Sequence, residues 1–182
     1  FLLIMLLRLL LQWARVDFYN PIAQSLIKIT QPFITPLQRL LPSIGHLNLA
    51  TLVVSLMVQL LIIVIIYWVR GVSLPISMDL LIWGLLGLGS QIIDIYFFVI
   101  LASVVLSWLV PQGGHPSIAI LQQLSESVLG PARRLLPTVG GLDFSPILVF
   151  IAIHLIDTLV INNLAQLFAM PGGLVPGLAS SG

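Results

Sequence analysis

Apolar residues fall in four long runs, and most of the charged residues lie between them. Phe1 to Ala14 reads as the visible part of a first spanning helix, because Phe1 already lies inside an apolar run. Leu47 to Val69, "LNLATLVVSLMVQLLIIVIIYWV", carries no charge over 23 residues. That is enough for ~30 Å of hydrocarbon at ~1.5 Å per residue. Leu80 to Val110 is apolar for 31 residues, interrupted by Asp94. Two spans there would have about 15 residues each, which is short for a bilayer, so the run reads as one long or bent helix entered through Leu80 to Gly89. Gly84, Gly87 and Gly89 predict a bend or a close helix contact. Phe144 to Phe168 is the last span, and residues 169–182 read as a loosely held tail rich in glycine, proline and serine.

Between the first and second runs, and again between the third and fourth, the pattern becomes amphipathic. Asn20 is a candidate N-cap with Pro21 at the first helical position. Ile22, Leu26, Ile29 and Phe33 then share one helical face, with Gln24, Lys28 and Gln31 elsewhere. After His115-Pro116, a second stripe is formed by Ile118, Leu121, Leu124 and Val128. Helices of this kind lie in the membrane interface. Pro36 and Pro42 bracket a short turn, and Gly45 lets the chain turn back into the bilayer.

The linkers also share a phrase: "PLQRLLPSIG" from Pro36 and "PARRLLPTVG" from Pro131. Arg134 minus Arg39 is 95, and the same offset pairs Trp13 with Trp108, Pro21 with Pro116 and Gln59 with His154. The chain therefore reads as an internal duplication, each half a span, a linker of about thirty residues and a span. The expected fold is an all-α membrane protein with four transmembrane helices, arranged as two parallel helix–interfacial elbow–helix repeats. The first repeat covers residues 1–69 and the second 91–168, with 70–90 as connector and entrance to the third span. The elbow motif comprises Pro36, Arg39, Pro42 and Gly45 in the first half. In the second it comprises Pro131, Arg133, Arg134, Pro137, Gly140, Gly141 and Asp143.

Composition supports a lipid-facing chain. Of 182 residues, 59% are hydrophobic and 7% charged, against about 25% charged in a soluble domain. The absence of cysteine excludes disulfides, thiolate metal sites and a thiol nucleophile from this chain. A net charge of +1 provides no field for nucleic acid. Five of the seven Lys and Arg residues lie in the linkers, which places both linkers in the cytoplasm and both termini outside; Arg70 is the contrary charge.

Ionisable groups inside apolar spans are the candidates for chemistry: Arg8, Asp94, His154 and Asp157. Asp94 and Asp157 fall at similar depth, and His154 and Asp157 share a helix face. They admit two accounts: a proton or cation path, or interhelical hydrogen bonding and snorkelling that fix the bundle. Gln59 and Asn162-Asn163 read as interhelical glue. His46, His115 and His154 are too scattered for a metal site, and no cofactor or catalytic group is expected. Arg133-Arg134 either meets anionic headgroups or an acidic partner, or simply anchors the topology. Asp143 can cap the fourth span and pair with Arg133 or Arg134, which marks the second elbow as the rigid, partner-facing one.

The segments from Asn20 ("NPIAQSLIKITQPFITPLQRLLPSIGHLNLATL") and from Leu129 ("LGPARRLLPTVGGLDFSPIL") resemble the YggT family of small bacterial membrane proteins, in its two-repeat proteobacterial form. The second segment matches the family pattern more closely. The first has Gln38 for the first arginine, His46 for the second glycine and "NLAT" for "DFSP". The resemblance implies a multi-pass inner-membrane protein and links to osmotic and potassium homeostasis, to cell-shape or division proteins, and in plastids to cytochrome assembly. The resulting expectation is a non-enzymatic scaffold, assembly factor or accessory subunit acting through its cytoplasmic elbows. Its partners would be membrane lipids and other membrane proteins or further copies of itself, and no nucleic acid. The alternative is a small ion transporter or channel component.

Overall fold

The computed structural model describes residues 1–17, 19–44, 47–74, 78–109, 115–135, 143–172 and 174. Six helices make up the described fold. They are α1 (Leu2–Trp13), α2 (Pro21–Gln38), α3 (Leu49–Val69), α4 (Asp79–Leu109), α5 (Pro116–Leu135) and α6 (Ser145–Leu167). A two-residue antiparallel pair, β1 (Ser43–Ile44) with β2 (Leu47–Asn48), joins α2 to α3.

Three of these helices, not four, are long and apolar enough to cross a membrane: α3 with 21 residues, α4 with 31 and α6 with 23. The first apolar run corrects the expectation of four. α1 has 12 residues, ~18 Å of helix against a hydrocarbon core of ~30 Å. The long third run is a single uninterrupted helix. Its Gly84 serves close contact: a Cβ there would lie 2.8 Å from Leu60 Cδ2 and 3.1 Å from Leu56 Cδ1 on α3. α6 departs from α-helical geometry over Ile156–Asn162, where it forms a π-helical turn.

Side-chain caps set the starts of three elements. The N–H of Ile22 donates to Asn20 Oδ1 at 2.9 Å, and that of Ala50 to Asn48 Oδ1 at 3.0 Å. The N–H of Ser145 donates to Asp143 Oδ1 at 2.9 Å. α2 does not stop at its prolines but continues through Pro32 and Pro36 to Gln38, and α5 continues through Pro131 to Leu135. Pro32 and Pro36 are exposed and one turn apart, so the helix carbonyls they leave unbonded lie on the outer side of α2.

Each linker helix runs back antiparallel along the helix before it. Arg8 meets Thr30, Met5 packs with Ile34, and Phe1 meets Phe33 edge-on at 4.8 Å between ring centroids. Likewise Ser103 meets Ser125 and Ile100 packs with Leu129. The main core joins α1, α4 and α5 through Leu6, Leu10, Ile95, Val99 and Leu124. A second cluster joins α3, α4 and α6 through Ile63, Tyr67, Trp83 and Ile161. Two smaller clusters flank the main core: Met5, Ile34, Ala50 and Val54 in one, Ile100, Leu129, Ala132 and Val149 in the other. Ile100, Leu129 and Val149 stand at the 95-residue offset from Met5, Ile34 and Val54.

Candidate functional site

The linker helices meet where they begin. Asn20 caps α2 with its Oδ1 and donates from Nδ2 to the Pro116 carbonyl at 2.8 Å. The Asp17 N–H donates to Gln123 Oε1 at 2.9 Å. Two segments about a hundred residues apart are thereby clipped into one surface at one end of the bundle.

The two helices turn different faces outward. α2 buries Ala23, Thr30 and Ile34 and exposes Ile22, Ile29 and Phe33, the last two by 51% and 54%. The apolar stripe read from periodicity thus faces away from the bundle, apart from Leu26, which packs partly against the main core. A lipid-facing surface is as apolar as a core, so periodicity cannot assign the face. α5 does the reverse. Ile120, Leu124, Leu129 and Ala132 are buried, while Gln122, Gln123, Glu126, Arg133 and Arg134 are exposed.

Arg8 explains the inward face of α2. Its side chain is 4% exposed. Nη1 donates to the Ile27 carbonyl at 3.2 Å and to Thr30 Oγ1 at 2.7 Å, and Nη2 donates to Gln31 Oε1 at 2.8 Å. Gln31 in turn donates from Nε2 to Gln38 Oε1 at 3.2 Å. A buried guanidinium costs several kcal/mol unless its donors are matched. α2 supplies acceptors for Nη1 and Nη2, while Nε is buried without a partner among the described residues, so this polar set binds the linker helix to α1.

In the second elbow, Arg133 rather than Arg134 makes the ion pairs. Its Nε donates to Asp143 Oδ2 at 2.8 Å, and its Nη1 donates to Glu126 Oε2. The hydrogen bond to Asp143 raises the Arg133 pKa above the usual guanidinium value, against a lowering by burial and with further help from Glu126. Burial alone would raise the Asp143 pKa, but hydrogen bonds from Ser145 and Arg133 outweigh it and hold the carboxyl below the usual range. Arg134 and Arg39 are exposed and make no side-chain hydrogen bond or ion pair among the described residues. Pro36 and Pro131 sit inside α2 and α5, and Pro42 follows the end of α2. Gly45, Pro137, Gly140 and Gly141 lie outside the described residues.

The remaining candidates gather only in part. Asp94 on α4 and Asp157 in the π-turn of α6 are half-buried and close enough for their charges to interact. His154 is exposed on the α-helical part of α6, and the π-turn begins between it and Asp157. Asp94 also lines a groove of about 460 Å³ between α1 and α4, beside Gln91, Leu3 and Leu7. Gln59, 1% exposed, accepts from Gln91 Nε2 at 2.8 Å and ties α3 to α4. Asn163 instead donates to the Leu159 carbonyl of its own helix. Thr30, Gln123, Ser103 and Ser125 were not singled out from sequence, because neutral polar residues in an amphipathic helix carry no distinguishing signal.

The CCB3/YggT family model matches residues 1–69 and 82–164. A protein of Pseudomonas aeruginosa named as uncharacterized is 43% identical over 172 residues, covering 94% of this chain and 87% of that protein. "Uncharacterized protein YggT" of Escherichia coli strain K12 is 38% identical over 179 residues, covering 97% and 89%. An uncharacterized protein of Haemophilus influenzae is 34% identical over 171 residues, covering 93% and 90%. No solved structure matches the chain. With the family model spanning both helix–linker–helix segments and relatives aligned over nearly their whole lengths, the chain belongs to the CCB3/YggT family.

Proposed function

We propose that this protein is a non-enzymatic inner-membrane scaffold or assembly factor. It is built from two copies of one helix–linker–helix unit and docks a partner on the outer face of α5 at the cytoplasmic end. The observation that carries the proposal is the clip of Asn20 and Asp17 onto Pro116 and Gln123, which makes one surface from two linkers. That surface has a lipid-compatible side on α2 and a polar, charged side on α5. Duplication is supported by contacts that recur at the 95-residue offset. Asn48 and Asp143 cap corresponding helices, and the two flanking clusters use corresponding residues. Gln31–Gln38 corresponds to Glu126–Arg133. The clustering of five Lys and Arg residues in the linkers supports a cytoplasmic platform.

The test is recovery of partner proteins in mild detergent from cells carrying Arg134→Glu or Arg39→Glu at equal protein levels. Loss with Arg134→Glu and retention with Arg39→Glu is the expected result. Equal recovery from both variants, or ion flux through liposomes containing the purified protein alone, sinks the scaffold reading.

A further inference from the structure

The Arg8 site has a counterpart that is built differently. Applying the 95-residue offset, Arg8 falls on Ser103, Ile27 on Gln122, Thr30 on Ser125 and Gln31 on Glu126. Polar contacts fall at the same positions as well. Thr30 Oγ1 donates to the Leu26 carbonyl at 2.6 Å with the Ile27 carbonyl at 3.2 Å, and Ser125 Oγ lies 3.0 Å from the Gln122 carbonyl. Arg8 donates to Thr30 Oγ1, whereas at the matching place Ser125 Oγ donates to Ser103 Oγ at 3.1 Å. Gln31 is held by Gln38, and Glu126 by Arg133. The second half therefore presents the same acceptors but replaces the long guanidinium with a serine side chain. A cleft of about 690 Å³ results, lined among others by Ser103, Gln122, Ser125, Glu126 and Arg15.

Arg15 enters this cleft from an unfavourable backbone. It ends α1 with φ 53° in a turn closed by Val16 N–H to the Leu11 carbonyl at 3.0 Å. Glycine is the residue that adopts this left-handed position without cost. The Arg15 side chain is exposed and makes no hydrogen bond or ion pair among the described residues. A charged side chain is thus held at a glycine position, on the rim of a cleft whose acceptors stand at the positions of those that Arg8 meets.

We propose that this cleft binds the headgroup of phosphatidylethanolamine. The ammonium takes the acceptor set that Arg8 occupies in the first half, and the phosphodiester lies on Arg15. A primary ammonium offers three donors and no acceptor, which suits the Gln122 carbonyl, the serine hydroxyls and Glu126 Oε1, the carboxylate oxygen that Arg133 does not bond. A phosphodiester carries one negative charge, which Arg15 matches, since Arg133 is already engaged by Glu126 and Asp143. The two charges of this headgroup are two carbons apart, so one ligand can span both. The site rests on the duplication inferred above but not on the scaffold reading.

The full-length protein, purified in detergent, is titrated with short-chain phosphatidylethanolamine, phosphatidylcholine and phosphatidylglycerol, and with free phosphoethanolamine and inorganic phosphate, using native mass spectrometry. Phosphatidylethanolamine should bind at least tenfold more tightly than phosphatidylcholine, whose quaternary ammonium cannot donate, and than phosphatidylglycerol. Ser103→Arg should fold and abolish this binding by recreating the Arg8 contacts. Arg15→Gly should weaken binding at least tenfold while raising the Tm by about 2–4 °C through relief of the backbone. Equal binding of phosphatidylcholine or phosphatidylglycerol overturns the headgroup assignment. Equal competition by inorganic phosphate moves the site from lipid to free anion and overturns it too. A folded Ser103→Arg protein that still binds the lipid overturns the site while leaving the duplication standing. If Ser103→Arg fails to fold, the duplication is wrong at this position, and the Arg15→Gly titration decides on the headgroup alone.

Discussion

The side-chain amide of Asn20 donates to the main-chain carbonyl of Pro116 while its oxygen caps α2. One residue thus starts one linker helix and holds the other. Asn20→Asp keeps an oxygen for the cap and removes the donor. Helicity should be unchanged while α2 separates from α5. Because the chain has no cysteine, nitroxide labels at Lys28→Cys and Gln122→Cys, both exposed and outside the clip, report the separation directly. A distance distribution that does not broaden in Asn20→Asp would refute the clip.

Arg8→Ala leaves the side chains of Thr30 and Gln31 without the guanidinium they accept from. Hydrogen bonds to a charged group contribute about 1.5–3 kcal/mol each, so the variant should lose about 3 kcal/mol and melt several degrees lower. Arg8→Lys should recover only part of this, since one ammonium cannot reproduce the forked geometry. Thermal melts in one detergent measure both.

Asp143 makes stability depend on pH in one direction. Its native pKa is lowered, so its contribution is present above the unfolded carboxyl value of about 3.9 and is lost as pH falls through the lower native value. Asp143→Asn keeps an oxygen for the Ser145 N–H and loses the pair with Arg133. Wild type should therefore exceed Asp143→Asn at pH 7, and the difference should vanish on acidification below about pH 4. Salt should narrow it as well. Arg133→Gln should resemble Asp143→Asn, whereas Arg134→Gln should leave the melting curve unchanged.

Gln59 and Gln91 form a partly buried bond between α3 and α4. A double-mutant cycle with Gln59→Leu and Gln91→Leu should give a coupling of about 0.6–1.7 kcal/mol, the range for such bonds between membrane helices. A coupling of zero would mean that the bond does not hold the helices.

Gly84 allows α3 and α4 to approach. Gly84→Leu should destabilise by about 1–3 kcal/mol through overpacking against Leu60. Leu60→Ala should recover part of the loss in the double variant. Additive losses would show that the contact does not limit the approach.

Helix positions and several caps were legible in the chain itself. Runs of apolar residues must be helical to satisfy their backbone groups in lipid, and Asn20 and Asp143 stand where a side-chain oxygen reaches a free N–H. The shared linker phrase and the family pattern are likewise properties of residue order. Tertiary structure decided the rest. It chose Ala23, Thr30 and Ile34 as the inward face of α2, because Arg8 needed acceptors there and lipid could take the apolar stripe. It selected Arg133 over Arg134 as the partner of Asp143, which depends on where α5 ends in space. It began the π-turn between His154 and Asp157, with His154 exposed and Asp157 half-buried. Local rules act over one helical turn, whereas these outcomes depend on side chains brought together from distant parts of the chain.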